Sequence, residues 1–289
     1  MLRTFLVATV LATSAAGLAS ATMQTDIDAA RLQAEAGDFN AAFDYGYALT
    51  FPESGDADYE IGRYWLVQAA DNGIAEADHV LGLVYRDGIG VDADLDRARA
   101  FFETSWSRNY APAGFNLAEL LIFDYESDAA SGVAILRRLA EGDNGVDAQL
   151  MLADALFFGP DTIRDDSAAI AAAEAAIARD PAALQANYIL GIAAMEGLGR
   201  TADPAAAIAL WRAAADTGDT LSLGALAQAY TDGDGVTADP VEALALWQTA
   251  AALGDFTAAE AAAELEDQLN AGQQQQAETR AQARLAQLP

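Results

Sequence analysis

The sequence predicts an all-α fold, an α/α superhelical solenoid of about six helix-pair repeats closed by helical caps. Three observations predict it. A block of residues recurs at a fixed spacing of 36: Gly197, Gly199, Thr201-Ala202-Asp203-Pro204, Leu210-Trp211, Ala214-Ala215 and Gly218-Asp219 return as Gly233, Gly235, Thr237-Ala238-Asp239-Pro240, Leu246-Trp247, Ala250-Ala251 and Gly254-Asp255. A fixed period of this length is the signature of stacked supersecondary units. Apolar residues between the glycines recur at helical spacing, with few strand-like alternations. Alanine, the best helix former, makes up about a quarter of the 289 residues.

In chain order, residues 1–21 combine Arg3, an apolar run from Phe5 to Leu18 and the small residues Ala19-Ser20-Ala21. That is the pattern of a secretory signal cleaved after Ala21, and the run is short for a membrane span. Residues 22–35 read as an N-terminal cap helix, 36–254 as the array, and 255–289 as a C-terminal helical cap or tail. The six units fall at 36–73, 74–109, 110–145, 146–181, 182–218 and 219–254. Units three and four are degenerate: unit three has no G-x-G, and unit four has Gly159-Pro160 in its place. Residues 273–276, four glutamines, read as the start of a solvated helix rather than a low-complexity tract.

Within one unit the first helix ends at a glycine such as Gly233, which supplies backbone angles other residues avoid. Asp239 then caps the second helix and Pro240 suits its first position. The second helix carries a large residue, Trp247, and the small pair Ala250-Ala251, which lets a neighbour approach closely.

These residues resemble the Sel-1-like repeat family, a relative of tetratricopeptide repeats. The likeness lies in Leu81-Gly82 with Tyr85, in Gly88, Gly90, Val91 and Gly233, Gly235, Val236, in an aromatic at Trp65, Trp211 or Trp247, and in the alanine pair with its closing glycine. The resemblance implies a protein-binding scaffold. Two departures stand out: Gln68, Ala213 and Thr249 replace the usual lysine, and the disulfides of cysteine-rich secreted members are absent.

Composition excludes several chemistries. There is no cysteine and no lysine; all fifteen cations are arginines, set against 44 acids and one histidine. Disulfides, thiol nucleophiles, Walker A loops and Schiff bases are therefore ruled out. The net charge of −29, about −30 after loss of the signal, argues against nucleic acid or anionic lipid as partner. His79 reads as a surface residue or a binding residue of the concave face, not as a catalytic base. Asp92, Asp94, Asp96 and Glu103 have partial calcium-loop spacing, but Arg97 stands where the loop needs glycine, so capping by Asp92 or Asp94 explains them better. Asp232-Gly233-Asp234-Gly235 reads as a repeat turn before it reads as a cation site. No cofactor is expected.

Aromatics crowd the first half of the chain, together with Arg63, Arg86, Arg97, Arg99 and Arg108. Most of these rings read as core, and the surplus points to a recognition surface, because Tyr, Trp and Arg dominate binding hot spots. The candidate protein-binding residues are Arg63, Tyr85, Arg86 and Arg108. The alternative, that these arginines balance neighbouring acids, stays open. The expectation is a periplasmic or secreted, non-catalytic scaffold or regulator that binds an envelope protein on its concave surface. The alternative is a saccharide-binding protein or a cell-wall enzyme, since some members of the family carry β-lactamase-like labels.

Overall fold

The computed structural model describes residues 24–52 and 56–288. The expected export signal at 1–21 lies outside them. Among the described residues the chain forms fifteen α-helices, one 3-10 turn and no strand, and it divides into two compact units at Leu139 and Ala140. The first unit holds α1 (Gln24–Glu35), α2 (Phe39–Thr50), α3 (Tyr59–Asp71), α4 (Ala75–Asp87), α5 (Leu95–Ser107), α6 (Ala111–Phe123) and, after the 3-10 turn Glu126–Asp128, α7 (Ala129–Ala140), whose last residue crosses the boundary. The second holds α8 (Gly145–Phe158), α9 (Asp166–Arg179), α10 (Ala186–Glu196), α11 (Pro204–Ala215), α12 (Thr220–Asp232), α13 (Pro240–Ala252), α14 (Phe256–Glu266) and α15 (Ala271–Leu285).

The repeat unit is visible as a conserved set of local bonds. In five of the six units the first helix hands over to its second helix through a backbone bond from the capping aspartate back to the first helix. The pairs are Asp58 N to Leu49 O (2.9 Å), Asp94 N to Tyr85 O (2.8 Å), Asp165 N to Leu156 O (2.9 Å), Asp203 N to Ala194 O (2.7 Å) and Asp239 N to Tyr230 O (3.0 Å). Unit four, degenerate in sequence, keeps this bond. Unit three lacks it and uses the 3-10 turn, but α6 and α7 still pack closely, since a Cβ at Gly132 would press on Ile122.

The same aspartates accept from the first free amides of the next helix: Asp58 from Ile61 N, Asp94 from Arg97 N, Asp165 from Ala168 N, Asp203 from Ala206 N, and Asp239 from Val241 N and Glu242 N. Each such cap contributes about 1 kcal/mol and places a negative charge at a helix N-terminus. Part of the acidity is therefore a capping device. Where the second helix ends, Gly73, Gly218 and Gly254 take positive φ, and Asn109 (φ 64) fills that place in unit two.

The helices of a pair meet through a slot opposite a small residue. A Cβ at Gly82 would run into the Phe102 ring, and one at Gly191 into the Trp211 indole. Trp211 also donates from Nε1 to Tyr188 O at 3.1 Å. The slot holds Leu66, Phe102, Trp211 and Trp247, and Leu66 and Phe102 are fully buried. Trp65 is one residue out of this register: it is half-buried, edge-on to Tyr45 (5.9 Å) and Tyr64 (5.3 Å). Around the slots the core is mostly alanine, with Ala69, Ala77, Ala98, Ala113, Ala207 and Ala214 at zero exposure.

At the end of the second unit, α15 packs on α13. Arg280 and Arg284 pair with Asp239 and Glu242 at 2.7 to 3.1 Å, over the buried Ala277 and Ala281.

Candidate functional site

In the first unit the arginines and the histidine form a polar chain between helices. Arg108, at the C-terminal end of α5, donates to Ala70 O (3.2 Å) and pairs with the buried carboxylate of Asp78 on α4. The next residue, His79, is 2% exposed and lies against Tyr110 (5.3 Å) and Phe102 (5.9 Å). Its Nε2 meets Asn116 Nδ2 at 3.0 Å, and Asn116 Oδ1 accepts from Arg86 Nη1 at 2.7 Å. A guanidinium can only donate, so it fixes the amide: Oδ1 faces Arg86, NH2 faces the imidazole, and Nε2 is the acceptor. The proton of neutral His79 then sits on Nδ1, which has no partner.

Burial and, after it, the Arg86 charge push the His79 pKa down to about 4. His79 is thus an interior neutral imidazole, which corrects the expectation of a surface or binding residue. The reason is that α4 turns this position toward α5 and α6, where aromatic rings enclose it. Burial pushes Asp78 the other way, to about 6, with Arg108 opposing and Asp71 adding to the rise.

The four candidate binding residues fall on three elements. Arg86, whose side chain is 14% exposed, is held by Asp87 (2.7 and 2.9 Å) and Asn116. Arg108 holds Asp78. Tyr85 stacks on Phe101 at 5.6 Å, and Arg97 lies over the Tyr85 ring at 5.2 Å. Arg63, on α3, reaches Gly90 O at 3.5 Å. Arg108–Asp78 and Arg86–Asn116–His79 are two bonded groups, which the adjacency of Asp78 and His79 along α4 brings into one network. Among the described residues, no hydrogen bond, ion pair or ring contact joins Arg63 or Tyr85 to that network. The neighbouring cations are engaged too: Arg99 with Glu103, Asp128 and the Tyr125 ring, and Arg138 with Asn109 and the Trp106 ring. Asp94 acts as the α5 cap and also meets Arg97 at 3.3 Å. Among the described residues no group of three or more acids and histidines is placed to hold a metal ion.

The first helices keep one register partly open. Aligned on the glycine or its equivalent that ends each helix, the register holds Tyr47, Leu83 and Glu119 in the first unit and Asp154, Ile192 and Gln228 in the second. Asp154, on α8, is the residue the sequence reading passed over. Its neighbours are Tyr188 on α10 and Asp219, the cap of α12, which accepts from Ser222 N at 2.8 Å. Tyr188 stacks on Phe158 at 5.8 Å. Burial, reinforced by Asp219, pushes Asp154 up to about 7, and burial raises Asp219 as well. The available signal was positional: counting back five from Gly159, as from Gly88 to Leu83, puts Asp154 in the same open column as Tyr47, Leu83, Glu119, Ile192 and Gln228.

Fold and register together define a class, the helix-pair repeat proteins with an open first-helix face. Sel1 repeats match residues 40–74, 75–105, 146–171, 184–219 and 221–255, more than half of the chain, and the chain belongs to the Sel1 repeat family. The matches leave out 106–145, where the helix pair lacks the handover bond. An uncharacterised protein of Neisseria meningitidis serogroup B is 31% identical over 176 residues, covering 61% of this chain. The match spans 36% of that relative, about a third of its length. Similar solved structures include a Sel1 repeat protein from Oxalobacter formigenes, with 22% identity, 86% and 83% of the two chains covered and a TM-score of 0.48. A protective antigen of uropathogenic Escherichia coli with the same repeat fold has 22% identity, 90% and 71% covered and a TM-score of 0.38. Among the described residues no helix is long and apolar enough to cross a membrane.

Proposed function

We propose that this chain is an exported, non-catalytic scaffold that binds a protein partner along its first helices, as the periplasmic or secreted product of signal cleavage after Ala21. The observation that carries the reading is the register of half-open side chains on successive first helices, set on a rigid alanine-packed frame. A preformed repeat surface of this kind binds with little change of shape. The interior position of His79 supports a role without acid-base catalysis, since it offers no imidazole to a substrate.

Arg63, Tyr85, Arg86 and Arg108 are the proposed partner-facing residues of the first unit. Arg86 and Arg108 also hold buried groups, so Arg63 and Tyr85 give the cleaner test. The mature protein is used to capture partners from a lightly crosslinked envelope extract, beside a folded Arg63→Ala, Tyr85→Ala variant. The captured protein is then purified and its binding measured directly. The reading expects a partner that binds the native chain and binds the variant more weakly. Absence of any direct binder would overturn it. N-terminal sequencing of the exported protein checks the cleavage. One observation favours a second reading, saccharide binding: Tyr64 is 57% exposed beside Trp65, an aromatic edge on which a sugar ring can stack. A glycan screen with Tyr64→Ala separates the two.

A further inference from the structure

The two units treat the acids of their first helices differently. In the first, Asp78 holds Arg108, and Arg86 stands among Asp87, Glu119 and Asp124. In the second, no described residue hydrogen-bonds or ion-pairs with the Asp154 carboxylate. The six arginines of that unit are committed elsewhere. Arg164 pairs with Asp161, Arg179 donates to Ala140 O and Gly142 O, and Arg200 pairs with Glu174. Arg212 donates to Tyr230 Oη, and Arg280 and Arg284 hold the C-terminal helix. Lysine is absent from the chain. Among the described residues of the second unit, the carboxylate is therefore left without a paired cation.

Its setting on the first-helix face is apolar. Phe158 and Tyr188 stack beside it, Ile192 shares its register one helix on, and Leu221, on the following first helix, is 38% exposed. α8 meets α10, and α10 meets α12, so these side chains belong to one row of helices. An acid set among apolar groups, with a second acid at Asp219, costs free energy as an anion unless a positive charge arrives with its own hydrogen-bond donors. A guanidinium supplies both. We infer that the face of α8, α10 and α12 docks an apolar segment of a protein partner carrying one arginine, whose guanidinium seats on Asp154 with Asp219 behind it. The inference rests on the scaffold reading above and names the partner chemistry that this face selects.

The test uses the full mature chain and two probe peptides, acetyl-Ala-Leu-Arg-Leu-Ala-amide and the same peptide with citrulline, the uncharged isostere of arginine. The Asp154 carboxyl is followed by its ¹³C resonance, and affinities are measured at about 0.3 M salt, where diffuse surface attraction is screened over a few ångströms. The arginine peptide is expected to bind about tenfold tighter than the citrulline peptide and to lower the Asp154 midpoint by about one unit or more. Asp154→Asn should erase the difference between the peptides, whereas Asp234→Asn, an exposed acid in a repeat turn, should leave it. Equal binding of the two peptides, an unmoved Asp154 midpoint, or the same loss in Asp234→Asn would overturn the inference. A captured partner whose binding is unaffected by Asp154→Asn would sink this inference while leaving the scaffold reading standing.

Discussion

The first unit pairs Asp78 with an arginine, and the second leaves Asp154 without one. Asp78 and Asp154 both lie on first helices, and burial raises the pKa of both, to about 6 and about 7. Asp78 is met by an arginine from the end of α5, placed 30 residues later, almost one repeat. Nothing equivalent reaches Asp154: Arg179, 25 residues later in the last turn of α9, turns to the Ala140 and Gly142 carbonyls at 3.0 and 2.5 Å. The lesson is that burial decides how much a carboxylate costs, and the reach of one arginine decides whether the fold carries that cost as strain or as a bond.

The largest effect that can break this comparison comes from the slots both units share. Phe102→Ala and Trp211→Ala should each cost about 3–5 kcal/mol in denaturant unfolding. A loss under about 1 kcal/mol in either unit would show that its slot is not a packing element. Next, Arg108→Met should cost about 2 kcal/mol at pH 8 by leaving the Asp78 anion unpaired. The loss should shrink in the double variant with Asp78→Asn, and a double-mutant cycle without coupling would refute the pair. Third, Asp154→Asn should stabilise the protein by about 1 kcal/mol at pH 8.

The sign of that third effect follows from linkage. Between its ordinary 3.8 and about 7, folded Asp154 keeps a proton that the unfolded chain has released. Its contribution to stability is therefore full at low pH and is lost as pH rises through 7. His79 acts in the opposite sense between about 4 and 6.5, where the unfolded chain binds the extra proton, so its contribution grows with pH. Melting curves from pH 4 to 8 should show the high-pH decline flattened in Asp154→Asn, and a decline of the same slope in that variant would assign it to another acid. The smallest effect is general: with a net charge of −29, melting temperature should rise modestly from low to moderate salt. An unchanged or falling value would mean that loss of the Arg280 and Arg284 pairs outweighs relief of self-repulsion.

The repeat frame was legible in the sequence because its signals are local and backbone-driven. Gly233 must take positive φ, Asp239 must cap and Pro240 must follow it, so each reads from a few residues. The slot register was less legible: Trp65 looks like the counterpart of Trp211, yet Leu66 occupies the position, because one residue along a helix turns a side chain by about 100°. The candidate site was least legible. Arginines that look like an exposed patch in a list, such as Arg86 and Arg108, reach about 30 residues across to Asn116 and Asp78, and such reach follows from stacking, not from composition. His79 was misplaced for the same reason. Asp154 became visible only when the helices were aligned on their closing glycines, a comparison that needed unit four to be trusted as a repeat.

The alanine core has a consequence for how this chain tolerates change. Ala69, Ala77, Ala98, Ala207 and Ala214 are fully buried and have almost no side chain left to delete. Truncation to glycine costs about 1 kcal/mol of helix propensity, while growth costs more, because one added methylene must displace close-packed neighbours. A saturation scan of these positions should therefore be lopsided, with glycine and serine tolerated far better than valine or leucine. Drift in this family member is channelled away from its interior and onto the faces that the helices leave open.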